Sequence, residues 1–248
     1  MYIYNPIEDC YATKKKIDFF RQEIEGKSKE KKKIKILDYG CGNANDCGKY
    51  LFNYKFEYFG FDIHKPSIKF AKKEFNVKNV SFSSSINDRK FDIIIISEVL
   101  EHLSDPTKIL LDLKKKLKRD GFILGSIPNG YGLTEIEKYI IHKFYIYRFA
   151  KWIYSFFGRK KKKTVKIPFN YESGHIQFFS LRSFKKVLKN SDLRLENIIN
   201  GTVMGADLSG STFLKFNFMK KINTRIADFI PKSISATWIF KLSKNENY

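Results

Sequence analysis

The chain has 248 residues and a formal net charge of +21. This length fits one domain, spanning 1–248, with a hydrophobic core of its own. The three cysteines, Cys10, Cys41 and Cys47, are odd in number and have no C-x-x-C spacing, which argues against a disulfide scaffold and favours a reducing cytoplasm. The basic charge suits nucleic acid, an anionic membrane or an anionic substrate. Because lysines are spread along the whole chain, a compositional bias of the source would give the same charge.

Strands and helices alternate through most of the sequence, which predicts an α/β fold. A polar lead-in at 1–30 contains a helix near 13–25, and a solvated loop follows at 26–33. The predicted strands are 34–39, 57–62, 80–83, 91–96, 122–127, 193–199 and 236–242. The predicted helices are 44–53, 65–74, 106–118 and 180–189. The pattern breaks at 130–170, a basic aromatic insertion, and again at 200–233, a second irregular segment.

A glycine turn follows the first predicted strand. The strand at 34–39 is apolar, and Gly40 and Gly42 come directly after it. Glycine lets the chain turn tightly and lets a ligand approach the backbone, because it has no Cβ. Asp62 ends the next strand, where a carboxylate can accept hydrogen bonds from ribose hydroxyls. The arrangement predicts a nucleotide-type cofactor at this turn.

The residues around the turn separate two cofactor classes. The dinucleotide fingerprint G-x-G-x-x-G fails because its third glycine position holds Asn45. An acid, Asp38, instead precedes Gly40 by two residues. The pattern D-x-G-x-G, followed by Asp62 after the second strand, resembles motif I and the next acidic position of class I S-adenosylmethionine (SAM) methyltransferases.

Two further stretches carry the same resemblance. Residues 91–102, Phe-Asp-Ile-Ile-Ile-Ile-Ser-Glu-Val-Leu-Glu-His, resemble the fourth-strand motif of these enzymes, and residues 117–124 resemble the turn into their fifth strand. The resemblance implies a Rossmann-like three-layer sandwich with a seven-stranded, mostly parallel sheet whose last strand is antiparallel. It also implies that SAM binds at the carboxyl ends of strands one, two and four.

The resemblance assigns a set of cofactor-binding positions. The set is Asp38, Gly40, Cys41, Gly42, Asp62, Ile63, Ser85 and Ser97. The motif I residues would hold the methionine portion, Asp62 the ribose, and the backbone around Ser97 the sulfonium. Ser85 stands where the family often has an acid that binds adenine, which puts that contact in doubt. Cys41 is expected to pack inside the turn and to take no part in the chemistry.

A cluster of metal-capable side chains follows the fourth strand. Glu98, Glu101 and His102 are close in sequence, and His175 precedes a predicted helix. Their E-x-x-E-H pattern with a distant histidine resembles the ubiquinone-pathway O-methyltransferases and the small-RNA terminal 2′-O-methyltransferases. Two carboxylates and imidazole suit Mg²⁺, Mn²⁺ or Zn²⁺. The alternatives are that His102 or His175 acts as a metal-free general base, or that neither is catalytic.

The aromatic and basic stretch at 136–163 leaves three interpretations open. It is interrupted by too many charges to cross a membrane. It could be a substrate lid, an interfacial element on anionic lipid, or a single-stranded RNA contact. Residues 200–233 are predicted to form another acceptor-side loop.

These observations favour a SAM-dependent O-methyltransferase in the cytoplasm. The acceptor would be a hydroxyl on a small molecule, a glycan or a lipid-linked compound, with peripheral contact to the anionic inner membrane face. The alternatives are an RNA 2′-O-methyltransferase, with nucleic acid as the less favoured partner, and a non-catalytic SAM-binding or membrane-associated interaction protein. A NAD-linked oxidoreductase is disfavoured by Asn45.

Overall fold

The computed structural model describes residues 2–31, 33–53, 55–143, 168, 170, 174–205 and 213–245. Within these residues, seven strands form one sheet in the order β3-β2-β1-β4-β5-β7-β6. The strands are β1 Ile34–Tyr39, β2 Phe56–Phe61, β3 Val80–Ser83, β4 Phe91–Ser97, β5 Leu117–Pro128, β6 Leu193–Asn200 and β7 Thr237–Lys244. β7 runs antiparallel to both of its neighbours, and the other pairs are parallel. The predicted sheet with its reversed last strand is confirmed.

Helices cover both faces of this sheet. They are α1 Thr13–Glu30, α2 Lys65–Glu74, α3 Pro106–Lys116, α4 Leu133–Lys143, α5 Leu181–Asn190 and α6 Asn217–Ile226. One core contains Phe20 of α1 and Ile68 of α2. The other contains Leu110 of α3 and Phe184 of α5. Two cores separated by one sheet make the predicted three-layer sandwich.

The central strand β4 shows why its apolar run predicted a strand that is buried on both faces. Ile93 and Ile95 belong to the first core, whereas Ile94 and Ile96 belong to the second. Because successive side chains of a strand point to opposite faces, a strand covered on both sides needs an uninterrupted apolar run. β1 and β4 lie side by side at the point where the strand order reverses, and open α/β sheets bind ligands at the carboxyl ends there.

Two predicted boundaries near the first strand were wrong. α1 continues to Glu30, through residues expected to form a loop, because Lys27 is buried and its ammonium lies 3.0 Å from Glu30 and 2.7 Å from Asp120. The predicted helix at 44–53 is only a 3-10 turn, Gly48–Leu51. Ala44 before it has a positive φ of 63°, a left-handed conformation that does not occur within an α-helix.

Later boundaries differ as well. α3 ends at Lys116, two residues before its predicted end, because the buried Leu117 pairs with Phe91 and begins β5. The segment 200–233 is not irregular throughout, since it contains α6 and two 3-10 turns. α4 lies in the predicted insertion at 130–170, of which 144–167 and 169 fall outside the described residues. In the part of the chain that is described, no helix combines the length and apolarity needed to cross a bilayer.

Candidate active site

The glycine turn is tied to the end of β2 by backbone hydrogen bonds. The N–H groups of Gly40 and Cys41 both donate to the carbonyl of Phe61, at 2.8 and 2.9 Å. Gly40 has a φ of +78°, and a Cβ there would lie 2.5 Å from Cγ2 of Val99. Both the left-handed backbone and the close approach of Val99 therefore require glycine at this position.

Asp62 closes the turn with its side chain. One carboxylate oxygen accepts from the N–H of Gly42 at 2.8 Å, and the other accepts from the N–H of His64 at 2.7 Å. A carboxylate offers about four acceptor positions, so Asp62 keeps acceptor capacity for ribose hydroxyls. A Cβ on Gly42 would meet no atom within 4 Å, so the turn faces open space rather than packed side chains.

Asp38 lies deeper, at the end of β1. Asp38 is 2% exposed, and its carboxylate accepts a hydrogen bond from the Tyr58 hydroxyl. Burial raises the pKa of Asp38 to about 6, against the opposing effects of the Tyr58 hydrogen bond and the Lys16 charge. Asp38 is therefore a carboxylate whose charge is costly and whose ionised form needs a positive partner.

Lys16 of α1 is a site residue that the sequence reasoning missed. It is 9% exposed, and its ammonium donates to the hydroxyl of Ser97 at 3.0 Å. Ser97 in turn lies 2.9 Å from the Ser126 hydroxyl. One signal was available, because Lys16 is four residues from both Ala12 and Phe20 and so lies on the buried stripe of the helix.

These groups surround a cavity of about 480 Å³ at the carboxyl ends of β1, β2 and β4, within the usual range for small-molecule sites. Five acidic residues line it, namely Asp9, Asp38, Asp46, Asp62 and Glu98. Among the described lining residues, Lys16 is the one lysine or arginine. A chain with a net charge of +21 thus has an acidic cavity, which favours a positively charged ligand.

The cavity includes most of the predicted cofactor set but not all of it. Cys41, Ile63 and Ser97 line it together with the turn. Burial holds the pKa of the Cys41 thiol well above its usual range, so this side chain stays neutral. Ser85 is not among the lining residues; it is exposed, and its N–H donates to the Ser83 hydroxyl at 3.1 Å. This local turn keeps Ser85 on the surface beyond β3, and its contact with adenine stays a prediction.

Three of the four predicted metal-capable groups converge beside the cavity. Glu101, His102 and His175 each offer one ligand atom, and these atoms lie within 4.8 Å of one another. His102 also lines the cavity. The backbone N–H groups of Ile176 and Gln177 donate to the Glu101 carbonyl at 2.8 and 2.9 Å, which brings the distant histidine to the E-x-x-E-H motif.

The hydrogen bonds of His102 define which nitrogen is available. Its Nδ1 lies 3.1 Å from the carbonyl of Gly174; since a carbonyl only accepts, Nδ1 carries the proton and Nε2 carries the lone pair. Nε2 lies 3.8 Å from Oε1 of Glu101. Glu101 is fully buried, and neither carboxylate oxygen has a hydrogen-bond donor among the described residues. Nε2 and an ionised Glu101 carboxylate can both only accept, so this pair needs a proton or a cation between them.

Glu98, the fourth predicted metal-capable residue, is not one of the three whose ligand atoms converge. It has a left-handed φ of 55° and precedes the 3-10 turn Leu100–His102. Its carboxylate accepts from the Ser126 hydroxyl at 2.5 Å and lines the cavity. After burial, the negative charge of Glu98 is the next cause that holds the pKa of Glu101 well above its usual range.

Residues 11–198 match the family model described as "Methyltransferase domain". The chain therefore belongs to the methyltransferase domain family, and the family implies SAM as its methyl donor. A solved structure of a SAM-dependent methyltransferase from Clostridium acetobutylicum shares this fold, with a TM-score of 0.56 at 13% identity over 93% of this chain and 91% of that one.

Two relatives carry specific names. An mRNA cap guanine-N(7) methyltransferase from Schizosaccharomyces pombe is 32% identical over 39% of this chain and 32% of its own length. A ubiquinone biosynthesis O-methyltransferase from Pelagibacter ubique is 30% identical over 48% of this chain and 52% of its own length. The chain thus spans about a third to a half of the curated relatives it matches.

Proposed function

We propose that this protein transfers the methyl group of SAM to a hydroxyl oxygen of a small-molecule, glycan or lipid-linked acceptor. The observation that carries the proposal is the position of His102, whose Nε2 lone pair faces Glu101 beside the acidic cavity. The Pelagibacter relative, named as an O-methyltransferase, supports the same kind of acceptor. The protein would work in the cytoplasm and, for a lipid-linked acceptor, at the anionic inner membrane face.

The cavity suits SAM by its charge. SAM supplies an electrophilic methyl group on a positively charged sulfonium, and it also carries an ammonium and a carboxylate. The acidic lining complements the two cationic groups, and Asp38 is the buried acid whose charge most needs such a partner. Asp62 would accept from the ribose hydroxyls, and Lys16 would pair with the carboxylate.

A hydroxyl acceptor needs help to become a nucleophile. A neutral alcohol reacts slowly in a displacement, so the site must remove or weaken its proton. In the neutral imidazole of His102, the Gly174 carbonyl holds the proton on Nδ1 and leaves Nε2 as the acceptor. It could take the proton directly as a general base.

A divalent cation is the second way to activate the hydroxyl. It would also neutralise the buried Glu101 carboxylate, which has no hydrogen-bond donor among the described residues. Glu101, His102 and His175 would hold the ion, and a metal-bound hydroxyl loses its proton more easily. A ligating histidine usually donates its other ring N–H to a carbonyl or carboxylate, as His102 does to Gly174. One carboxylate and two imidazoles suit Zn²⁺ or Mn²⁺, with Mg²⁺ less well matched to nitrogen ligands.

Metal removal and one matched pair of variants test this step. We expect chelator to abolish methyl transfer and one of the three ions to restore it. Glu101→Gln should lose the bound ion, measured by elemental analysis of the purified protein, whereas Glu98→Gln should retain it. Full activity in chelator, with no ion in the protein, would contradict the cation and leave His102 as the base.

The acceptor itself is testable with isotopes. Extract would be incubated with the protein and SAM labelled in its methyl group, and labelled products identified by mass spectrometry. We expect the label on oxygen in a small or lipid-soluble compound. Label on nitrogen or carbon would overturn the proposed reaction.

Methylation of RNA is a second candidate. It is favoured by the net charge of +21 and by the Schizosaccharomyces relative, which is named for mRNA. The same labelling experiment separates the two, since label in the RNA fraction at a ribose 2′-oxygen would establish this alternative. Binding to RNA that falls steeply with salt would not be sufficient, because any basic protein shows it.

A further inference from the structure

Helix α6 buries two polar residues and exposes three large apolar ones. Asn223 and Thr224 are buried against the protein. Phe218, Ile222 and Ile226 are exposed. A surface helix of a globular protein normally shows the opposite arrangement. The inversion indicates that the outer face of α6 is made for an apolar environment.

The inner polar face is fully bonded, so the orientation of α6 is well determined. The side-chain amide of Asn223 donates to the Met204 carbonyl at 2.7 Å, and its oxygen accepts from the Met204 N–H at 3.0 Å. The Thr224 hydroxyl lies 3.0 Å from the carbonyl of Lys221. The Thr224 bond lies within the helix, whereas the two Asn223 bonds join it to Met204 outside it. Rotating the helix to hide its apolar face would break the two Asn223 bonds and bury the neighbouring cations.

The outer face forms a continuous stripe. Phe218, Ile222 and Ile226 are spaced four residues apart, and Phe229 follows three residues later, which places all four on one side of a helical path. Phe229 is 89% exposed. Phe216 adds a further exposed ring, 6.2 Å from that of Phe218. We call these five residues the α6 stripe.

Positive charges border the α6 stripe. The exposed cations are Lys215, Lys221, Arg225 and Lys232. No acidic residue occurs from Phe213 to Ala227. The next acid, Asp228, has its carboxylate 2.6 Å from the Lys15 ammonium. The border of the stripe is therefore strongly basic.

We propose that the α6 stripe docks on the surface of an anionic phospholipid bilayer. A ten-residue helix is about 15 Å long and too short to cross, so it would lie flat. Aromatic and aliphatic side chains would enter the headgroup region while lysine and arginine contact lipid phosphates. A protein partner with an apolar groove is disfavoured because it would also need a ring of acids to match the cations.

The docked face would lie close to the cofactor cavity. Lys15 donates to the Thr224 carbonyl at 3.0 Å and so joins α6 to the start of α1. The same end of α1 supplies Thr13 and Lys16 to the cavity. A lipid-linked acceptor would thus be presented near the site. This last consequence rests on the proposed function, but docking does not.

Flotation of the full chain with vesicles tests the proposal. We expect binding to vesicles of phosphatidylcholine mixed equally with phosphatidylglycerol, and much weaker binding to phosphatidylcholine alone. Phe218→Ser with Phe229→Ser should weaken binding to the anionic vesicles about tenfold or more. Arg225→Glu should weaken it at least about fivefold, since it removes one cation near the surface and adds a repelling charge.

Ile222→Ser and Leu111→Ser form a matched pair, because both are aliphatic helix residues with similar exposure, 42% and 36%. Ile222→Ser should weaken vesicle binding and Leu111→Ser should not. Unchanged SAM affinity in each variant shows that the fold is intact and separates docking from methyl transfer. The proposal is overturned if the wild-type protein does not bind anionic vesicles, or if variants of the α6 stripe bind them as well as wild type does. It is also overturned if sedimentation shows that the stripe only mediates self-association.

Discussion

The two halves of the site are built in different ways. At the glycine turn, Gly40, Cys41 and Gly42 donate to β2 or to the Asp62 that follows it, so the cofactor side is complete without a ligand. At the acceptor side, the buried Glu101 carboxylate has no donor among the described residues. The cofactor side is therefore held together by hydrogen bonds of its own backbone. The acceptor side still needs a proton or an ion to neutralise the Glu101 carboxylate. The difference predicts that cofactor binding and methyl transfer can be separated by mutation.

The largest expected effect is on the acceptor side. His102→Ala should lower the turnover rate by about a hundredfold to a ten-thousandfold, because it removes the proton acceptor or a metal ligand. SAM affinity, measured by calorimetry, should stay within about twofold of wild type. A parallel loss of SAM affinity would show that the two halves are not separable.

Gly40→Ala should affect the cofactor side through the backbone. The left-handed φ and the contact with Val99 together predict a loss of about 3 kcal/mol in the free energy of unfolding, measured in urea. Gly42→Ala is the matched control, since its φ is also positive but its Cβ would meet open space. We expect a loss of about 1 kcal/mol there; equal losses would contradict the assigned contact.

These contrasts explain what could be predicted from the sequence. The glycine turn and Asp62 were readable because their chemistry is local: a buried strand, a glycine for a positive φ and an acid after the next strand. Lys16 and Tyr58 were missed because their roles come from packing between distant elements. The sequence could not separate Glu98 from the converging group, because the left-handed backbone of Glu98 is invisible in the pattern.

The fold was predictable for a similar reason. β4 had to be central because its run of isoleucines suits no exposed strand. Helix ends were less predictable: α1 continues past its expected end because Lys27 meets Asp120, a residue far away in sequence. The outward apolar face of α6 could not be predicted from the sequence, because the same spacing of apolar residues would also suit a helix that packs this face against the core.

Asp62→Asn should give a smaller effect that mirrors His102→Ala. Asparagine offers one acceptor oxygen where Asp62 uses two, so the variant loses one hydrogen bond of the turn as well as the charge. SAM binding should therefore weaken about tenfold or more. Turnover at saturating SAM should remain within about twofold. A large fall in saturated turnover would place Asp62 in the chemistry rather than in binding.

The smallest effect is a pH dependence carried by Asp38. Since its pKa is raised to about 6 and a cationic ligand favours its ionised form, SAM affinity should be full above this pKa and fall as the pH drops through it. The Tyr58 hydrogen bond lowers this pKa, so Tyr58→Phe should move the midpoint to higher pH. A midpoint unmoved by Tyr58→Phe and by Asp38→Asn would assign the titration to another group.

Calorimetry of SAM binding in the presence of chelator tests the central claim most directly. The two-part site predicts that wild-type protein and the His102→Ala variant bind one SAM each with similar affinity, and that neither binds NAD. Absence of SAM binding, or binding of NAD in its place, would contradict the account of the cavity. SAM binding that requires a divalent ion would contradict the independence of its two halves.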